Sequence, residues 1–286
     1  VMGLSGSGKS TLLRTANGLT RATRGEVLLG GADGPVDIAR CDAAALSAAR
    51  RRRISMVFQQ AALLPWRSVE ENVGLGLELR GEPRADRARI VAEKLELVGL
   101  ADWAGRRIDE LSGGMQQRVG LARAFATEAE ILLMDEPFSA LDPLIRSRLQ
   151  DELLRLQERV RKTILFVSHD LDEALRIGDR IAIMDHGRIV QTGTPQDIVL
   201  RPADPRVAEF VQHMNPLTAL TAAMVMRPLD PSAPPDASLP TAAADADLQS
   251  LIRLHQRTGR PVAVSDRSEE HTSELQSRQY LVCRLL

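Results

Sequence analysis

The stretch that constrains this chain most is residues 3–10, which read Gly-Leu-Ser-Gly-Ser-Gly-Lys-Ser. A glycine, four residues and then Gly-Lys-Ser is the spacing of loops that wrap around a phosphate, because glycines let the backbone turn sharply with its N–H groups pointing inward. The helix-permissive run 11–17 predicts that the loop opens a helix, where free N–H groups and the dipole favour an anion. A flexible Gly/Ser loop is the alternative explanation.

The segment before this loop is short. The motif normally follows a buried β-strand, and here Val1 and Met2 alone precede it. We therefore expect the sequence to be a piece that lacks the strand beneath the loop. Because that strand would cover central apolar surface, we also expect the chain as written to fold poorly.

The bulk composition argues against several classes of protein. The chain has 286 residues, 44% of them apolar, which allows one large domain or one domain with a small appendage. The net charge of −1 gives no electrostatic reason to expect binding of nucleic acid. The arginine run 50–53 is better explained as a solvated helix face. Cys41 and Cys283 lack metal or redox spacing, which suits a reducing compartment. No apolar run approaches the ~18 residues of a membrane span, so we expect a soluble chain, with a membrane partner left open.

Alternating apolar and amphipathic segments predict an α/β fold. The runs 54–58, 130–135 and 163–168 each end at polar residues and are typical of buried parallel strands, and residues 143–161 form an amphipathic pattern. Active residues are then expected at the carboxyl ends of the strands. The segment 69–126 is mainly helical, and its expected core residues are Leu75, Leu77, Leu79, Ile90, Leu95, Leu97 and Leu100.

Two carboxylates close the second apolar run. Asp135 and Glu136 follow four apolar residues and precede Pro137. An Asp at such a strand end can hold the Mg²⁺ that bridges two phosphates, and the next residue is placed to orient or deprotonate an attacking water. A pair of solvated strand-end acids is the alternative, and the buried run before the pair argues against it.

A second anion-binding helix start is predicted at residues 112–114. Ser112, Gly113 and Gly114 precede a helical stretch at 119–126. Taken alone, an ordinary N-cap is the better explanation of this motif.

Together, the motifs resemble the nucleotide-binding subunit of ABC transporters. Ser112 and Asp135 are 23 residues apart, room for one helix and one strand, and Asp135 and His169 are 34 apart, room for a crossover helix and the next strand. The resemblance covers about residues 1–215 and implies a P-loop NTPase core of the RecA-like type, with an inserted helical subdomain at about 69–127. The ordered motifs are the phosphate loop, Gln59 after a strand, Leu-Ser-Gly-Gly at 111–114, Asp135-Glu136, Ser-Ala-Leu-Asp at 139–142, and His169.

The resemblance implies a role for each matching residue in binding ATP and Mg²⁺. Mg²⁺ is served by Ser10, Gln59 and Asp135, partly through water. Glu136 is the general base, and His169 contacts the γ-phosphate and positions water, although a strand-end His taken alone is more often structural. The residues implied to cradle the phosphates are Gly3, Gly6, Ser7, Gly8, Lys9, Ser10 and Thr11.

The resemblance also implies a second copy of the chain. The motif 112–114 would act in trans on the nucleotide of the second copy, and Asp142 would belong to the loop that links the two sites. ATP would hold the copies together and hydrolysis would release them, which would drive a membrane partner. Two features depart from the family: Met115 stands where Gln is usual, and the adenine-stacking aromatic, upstream of the loop in the family, is absent.

Longer stretches are similar to the importers of glycine betaine, proline and choline. Residues 111–124, 135–152, 168–175 and 180–184 match them, while 60–66 and 213–217 lean towards the choline members. This implies an ATPase subunit, peripheral on the cytoplasmic face of the inner membrane, that powers import of a quaternary ammonium solute. Its implied partners are a second copy, permease subunits whose coupling helix would contact residues 60–80, and indirectly a substrate-binding protein, with no nucleic acid.

Other functions stay open at this point. One is an ABC-type ATPase for another small solute, and a second is a soluble ABC-type ATPase that works on nucleic acid or ribosomes. A third is a nucleotide sensor without catalysis. The adjacent Asp135 and Glu136, with His169, favour hydrolysis over sensing.

The composition changes after about residue 215. Residues 216–247 read as a linker, with five prolines between 227 and 246. Residues 248–266 predict a helix and a strand that resemble the start of a CBS-type regulatory module, with an ordinary α/β tail as the alternative. Residues 267–277 resemble a translated sequencing adapter, so we expect 267–286 to be an artefact of assembly rather than a genuine polar tail.

Overall fold

A computed structural model describes residues 1–30, 34–160, 162–212, 221–222, 226–228, 239–244, 246–265 and 281–283. The chain divides into two compact units. The first comprises Val1–His169 and Ala182–Val190, and the second comprises Asp170–Ile181 and Gln191–Leu286.

Helices and strands alternate along the chain. The helices are α1 (Lys9–Ala16), α2 (Ala43–Arg52), α3 (Val69–Val73), α4 (Leu75–Leu79), α5 (Arg84–Leu97), α6 (Gly113–Ala126), α7 (Pro143–Val160), α8 (Leu171–Ile177), α9 (Pro195–Leu200), α10 (Pro205–Gln212) and α11 (Leu248–Thr258). The strands are β1 (Leu28–Leu29), β2 (Val36–Asp37), β3 (Ile54–Val57), β4 (Ile131–Asp135), β5 (Thr163–Val167), β6 (Ile181–Asp185), β7 (Arg188–Gly193), β8 (Arg227–Pro228), β9 (Thr241–Ala243), β10 (Val262–Ser265) and β11 (Leu281–Cys283). Short 3₁₀ helices cover Ala101–Trp103 and Ile108–Glu110.

A parallel sheet in the order β3-β4-β5 organises the first unit. In the central strand β4, Leu132, Leu133 and Met134 are all buried, as expected for a strand covered on both faces. The last pair in the β3–β4 ladder is Val57 with Met134, and β4–β5 pairing continues to Asp135. The predicted strands at 54–58, 130–135 and 163–168 are therefore confirmed, and their carboxyl ends share one edge.

The two residues before the phosphate loop lie between β5 and β6. Met2 is fully buried and pairs in parallel with Ile183, and Val1 exchanges backbone hydrogen bonds with Phe166 and Ser168 at 2.6 and 3.2 Å. The loop therefore begins at the same carboxyl edge where β4 and β5 end.

The predicted helical segment 69–126 is confirmed as α3 to α6 with the two 3₁₀ helices. Ser68 caps α3 through a capping box with Glu71, and α3 and α5 both pack against α6. The core expectation holds for Leu77, Leu95 and Leu100 and is wrong for Leu79, which is 60% exposed. Successive residues of a helix are rotated by about 100°, so a side chain two residues after Leu77 lies on the opposite face.

The second unit contains a small sheet in the order β8-β11-β10-β9. Its core joins residues of α11 and β10, and Asp247 caps α11 through Ser250 N. The predicted helix and strand within 248–266 are confirmed as α11 and β10. The predicted linker 216–247 and tail 267–286 lie mostly outside the described residues; the described parts include β8, β9 and β11.

Candidate active site

The loop at residues 3–8 rises from the carboxyl edge of the sheet and enters α1 at Gly8. Gly3 has a φ of 147° and Gly8 a φ of 96°, values that residues with a Cβ rarely adopt. A Cβ at Gly3 would also overlap the carbonyl oxygen of Met184 and lie 2.8 Å from Ser7 Oγ. The backbone dihedral angle φ and the lack of room for a Cβ atom therefore both require glycine at position 3.

Lys9, the first residue of α1, directs its ammonium group back over the loop. Its Nζ donates hydrogen bonds to the carbonyl oxygens of Gly3 at 2.8 Å and Leu4 at 3.0 Å, and the residue is buried. A buried cation whose hydrogen-bond acceptors are neutral carbonyls is stabilised when an anion binds next to it. The positive charge thus lies at a helix N-terminus that itself favours phosphate.

Three other residues predicted to cradle the phosphates lie in the loop or in the first turn of α1. Ser7 is buried, and its Oγ has no hydrogen-bond partner among the described residues, while its carbonyl accepts from Gly187 N at 3.0 Å. Gly6 has a φ of 80°, and Thr11 is exposed on the first turn of α1. Buried hydroxyl groups in proteins are nearly always paired, so a ligand oxygen would satisfy Ser7.

Ser10 and Asp135 form the contact between α1 and the end of β4. Ser10 Oγ donates a 2.8 Å hydrogen bond to Asp135 Oδ1. Asp135 is fully buried, and its Oδ2 accepts no hydrogen bond from the described part of the chain; the guanidinium of Arg14 lies 3.9 Å away.

This donor set fits Mg²⁺. A hydroxyl and a carboxylate with an unused oxygen are the hard ligands that Mg²⁺ takes when phosphates and water complete its octahedron. Ser10 and Asp135 would hold the ion. The described segments contain no cluster of three or more His, Cys, Asp or Glu able to hold a metal.

Glu136 lies between two polar side chains from neighbouring strand ends. Gln59 Nε2 donates to Glu136 Oε2 at 3.0 Å, and His169 Nδ1 lies 3.3 Å from Oε1. The backbone of Glu136 has a φ of 46°, uncommon for a residue with a Cβ, and its N–H donates to Val167 O at 2.9 Å. The strained turn directs the carboxylate towards the edge where β3, β4 and β5 end, so three of the predicted site residues meet there.

The motif at 112–114 forms the start of α6. Ser112 Oγ accepts a 3.3 Å hydrogen bond from Met115 N, so it caps the helix as the simpler explanation predicted. Ser112 and Gly113 are exposed, and a Cβ at Gly114 would lie 3.1 Å from Ala140 O. Among the described residues, no hydrogen bond or ion pair joins this motif to the phosphate loop.

Asp142 caps the next helix. Its Oδ1 accepts a 3.0 Å hydrogen bond from Ile145 N at the start of α7, while Ser139 Oγ donates to Glu136 O at 3.0 Å. The segment 139–142 therefore connects the backbone of the acidic residue to a capped helix, and the linking role of Asp142 stays a prediction.

Comparison with known proteins places this geometry in a family. The sequence profile of the ABC transporter family matches residues 1–139. The bacterial ABC transporter cassette MJ0796, solved as a dimer, is 35% identical with a TM-score of 0.64, and the match covers 68% of this chain and 83% of that one. The chain belongs to the ABC transporter ATP-binding cassettes. The expected fold class, a P-loop NTPase core with an inserted helical subdomain, is confirmed.

Curated relatives of this cassette are transport proteins. The glycine betaine transport ATP-binding protein OpuAA of Bacillus subtilis is 52% identical over 227 residues, which is 79% of this chain and 53% of that protein. The glycine betaine/proline betaine transport system ATP-binding protein ProV of Escherichia coli is 53% identical over 215 residues, 75% of this chain and 53% of that protein. The cassette spans about half the length of these relatives. Within its described residues, no helix is both long and apolar enough to cross a bilayer.

The sequence left several polar contacts of the cassette unassigned. Gly187, in the turn between β6 and β7, supports the phosphate loop at Ser7, and Arg14 approaches Asp135. The side chain of Gln117 in α6 reaches backbone groups beside both Gln59 and Glu136. The available signal was a glutamine within the polar run Gln-Gln-Arg at 116–118, which does not identify its partners.

Proposed function

We propose that this chain binds ATP with Mg²⁺ and hydrolyses it. The observation that carries the proposal is the convergence of the phosphate loop, the Ser10–Asp135 pair and the Glu136 carboxylate at one edge of the parallel sheet. Lys9 and the N–H groups of the loop bind the phosphate oxygens. When bound, Mg²⁺ held by Ser10 and Asp135 would neutralise negative charge on the phosphate oxygens.

Glu136 serves as the base. As a water oxygen bonds to the γ-phosphorus, the bond from that phosphorus to the bridging oxygen breaks and the water proton passes to the carboxylate, which leaves ADP and phosphate. Gln59 and His169 each engage one carboxylate oxygen and so fix its orientation. Each oxygen keeps a second lone pair for the water, because an ionised carboxylate offers about four acceptor sites.

A second copy of the chain completes each site in this proposal. The exposed start of α6 at Ser112 and Gly113 offers N–H groups that are free to meet a phosphate of another molecule. Gly114 keeps the helix close to Ala140, and Asp142 anchors the loop between the two sites. The dimer of the related cassette MJ0796 supports this arrangement.

We further propose that hydrolysis powers import of a quaternary ammonium solute through a membrane permease, with a substrate-binding protein acting on that permease. The support is similarity to relatives named for glycine betaine, proline betaine, carnitine and trimethylamine N-oxide transport, at 50–53% identity. A spermidine/putrescine import protein of Mesorhizobium japonicum is 46% identical, so another small solute is the second candidate. The cassette would act on the cytoplasmic face of the inner membrane. The leaning towards choline stays a prediction.

Residues 60–80 are the proposed permease contact. Trp66 is 69% exposed on a loop that the buried Asn72 holds by donating to Leu64 O and accepting from Leu64 N. A cavity of about 590 Å³ lies on the same subdomain, between α3, α4 and α5. An exposed aromatic on an ordered loop is suited to contact with a helix of a partner.

An ATPase assay tests the hydrolysis proposal. Glu136→Gln keeps the side-chain shape and removes the base, so kcat is expected to fall by about 100-fold or more while ATP still binds. Glu96→Gln, which changes an exposed carboxylate of α5, is the matched control and is expected to hydrolyse ATP as the unaltered chain does. Equal activity of the two variants would remove Glu136 from its role.

The reading frames that neighbour this gene are the first test of the solute, because a permease and a substrate-binding protein are expected there, and that binding protein can then be assayed. Calorimetric titration with glycine betaine, choline and spermidine is expected to give tight binding of a quaternary ammonium compound alone, because an aromatic cage attracts that cation. Tight binding of spermidine instead would favour the second candidate.

A further inference from the structure

We propose that Gln117 is a positioning residue for hydrolysis, one that holds the segments carrying Gln59 and Glu136 at a fixed separation. This inference rests on the proposed function. Gln117 lies in the second turn of α6 and is 2% exposed. Its Nε2 donates hydrogen bonds to Phe58 O at 3.2 Å and to Pro137 O at 3.1 Å.

These two carbonyls belong to the residues next to Gln59 and Glu136. The β3–β4 ladder ends at Val57 and Met134, so both functional residues lie beyond the last backbone pair between these strands. Past that pair, the single amide of Gln117 joins the two chain segments. It thereby takes over the part that ladder hydrogen bonds play within the sheet.

The amide bridge supports a contact between the functional side chains themselves. Gln59 Nε2 donates to Glu136 Oε2 at 3.0 Å, a bond whose length depends on the separation of the two backbones. On the other side, Glu136 N is fixed to Val167 O of β5. Gln117 therefore completes the support of the base, on the flank that faces β3.

Gln117 also couples this support to the start of α6. Ser112 caps the helix that carries Gln117 five residues later. A displacement of the helix start, where the second copy's nucleotide would bind, is transmitted to the two carbonyls through a rigid helical turn. The start of α6, which would contact the nucleotide of the second copy, therefore influences the position of Glu136 in the site of its own chain.

The neighbouring glutamine provides a matched control. Gln116 Nε2 also donates to two backbone carbonyls, Ile108 O at 3.1 Å and Leu111 O at 3.2 Å. Both acceptors lie in the helical subdomain rather than at the strand ends. Replacing either glutamine by methionine removes the same number and kind of hydrogen bonds at nearly constant side-chain length.

The test measures kcat and KM for ATP hydrolysis together with thermal unfolding. Gln117→Met is expected to lower kcat by about 10- to 100-fold with KM changed by less than about 3-fold, because displacement of a base affects the chemical step more than nucleotide binding. Gln116→Met, whose lost acceptors Ile108 O and Leu111 O precede Ser112, is expected to affect KM at least as much as kcat at a comparable melting temperature.

A double variant separates positioning from general loss of structure. If Gln117 acts through the base, Gln117→Met lowers the residual rate of Glu136→Gln by less than about 2-fold, since the base it positions is already gone. If Gln117 only stabilised the fold, the losses in rate caused by the two substitutions would multiply in the double variant. Should Gln117→Met fail to fold, Gln117→Asn, which draws the amide back by one methylene, takes its place in the same comparisons.

The outcomes distinguish this inference from the proposed function. In one outcome the unaltered chain hydrolyses ATP while Gln117→Met and Gln116→Met have the same kcat, or while the losses in kcat multiply in the double variant. Either result overturns only the positioning role of Gln117 and leaves the proposed function standing. Absence of hydrolysis by the unaltered chain with Mg²⁺ and ATP overturns the proposed function and this inference with it.

Discussion

The hydroxyl of Ser10 donates a 2.8 Å hydrogen bond to Oδ1 of Asp135, across 125 residues of sequence. The bond joins the first turn of α1 to the end of β4, so the phosphate loop and the acidic strand end share one polar contact. Asp135 is fully buried, its Oδ2 accepts no hydrogen bond from the described part of the chain, and the guanidinium of Arg14 lies 3.9 Å from that oxygen. Because a buried carboxylate oxygen without a hydrogen bond is costly, a bound cation that contacts Oδ2 would stabilise this edge of the sheet.

The first prediction concerns the charge of Asp135. Asp135→Asn keeps an acceptor for Ser10 and the shape of the side chain but removes the negative charge. We expect kcat with Mg²⁺ to fall by about 100-fold, or about 2.7 kcal/mol of barrier, because the ion is held less firmly. ATP binding without Mg²⁺ is expected to be unchanged or tighter, since a negative charge facing the phosphates is lost.

Mg²⁺ titration of the ATPase rate and calorimetry with ATP alone measure these two effects. Asp102→Asn is the control, because this carboxylate is exposed within a 3₁₀ helix. An Asp135→Asn protein with an unaltered Mg²⁺ requirement would contradict the metal role.

The second prediction concerns the start of the phosphate loop. In Gly3→Ala the new methyl group would overlap Met184 O, a backbone atom that cannot rotate away, at a φ that alanine rarely adopts. We expect a loss of about 2–4 kcal/mol in the free energy of unfolding, together with weakened ATP binding as the loop shifts. Gly105→Ala is the control, since no atom lies within 4 Å of its Cβ position. Equal denaturant midpoints for the two variants would show that the loop has room for the methyl group.

The third prediction concerns pH and the cap of α9. Thr194 Oγ1 donates to Asp197 Oδ2 at 2.8 Å and Thr194 N donates to the same oxygen at 3.1 Å, and these bonds lower the pKa of Asp197. A lowered carboxyl pKa contributes stability above the pKa of the unfolded chain, and that stability is lost as the pH falls through the folded pKa. We expect Thr194→Val to return the pKa of Asp197 towards its ordinary value, and to lower the melting temperature at pH 7 more than at pH values below about 3.9.

Carboxyl carbon NMR titration and melting curves across pH measure this change. Thr127→Val removes a hydroxyl that donates to the neutral carbonyl of Ala124 at 3.0 Å, so its effect on the melting temperature is expected to be independent of pH. The third prediction would be wrong if the two valine variants showed the same pH dependence.

The sequence predicted the core of the site because its signals are local. Each buried run ends at a polar residue, and the carboxyl ends of parallel strands meet at one edge, so active residues were expected there. The resemblance to the ABC family then singled out Gln59 and His169 beside Glu136. The structure brings these three together at hydrogen-bonding distances. The expectation for Leu79 failed because leucines at every second position lie on different faces of a helix, and Leu77 alone of the first three is buried.

Contacts between distant segments could not be read from the sequence. Gln117 reaches Phe58 across 59 residues, and Gly187 meets Ser7 across most of the first unit. A glutamine on a helix has many candidate acceptors, and the choice among them depends on how α6 packs on the sheet. These supports of the site therefore needed the three-dimensional arrangement.

The last prediction concerns Arg123, which holds the segment after Gln59 from the far end of α6. Its guanidinium donates to Ala61 O at 2.7 Å and Ala62 O at 3.0 Å, and burial lowers its pKa. Arg123→Lys keeps a positive charge but loses the planar fork, so one of the two carbonyls is left without its donor. We expect a loss of about 1–3 kcal/mol of stability and faster backbone hydrogen exchange in residues 60–66.

Hydrogen exchange followed by mass spectrometry measures this local opening, and the control lies on the same helix. Arg118 Nη1 donates to Val98 O at 3.0 Å and Gly99 O at 3.4 Å, away from the segment after Gln59. In Arg118→Lys, residues 60–66 are expected to exchange as in the unaltered chain. Because Trp66 in this segment is the proposed permease contact, Arg123→Lys is also expected to impair transport more than ATP hydrolysis. Unchanged exchange of residues 60–66 in Arg123→Lys would mean that the loop is ordered without the guanidinium.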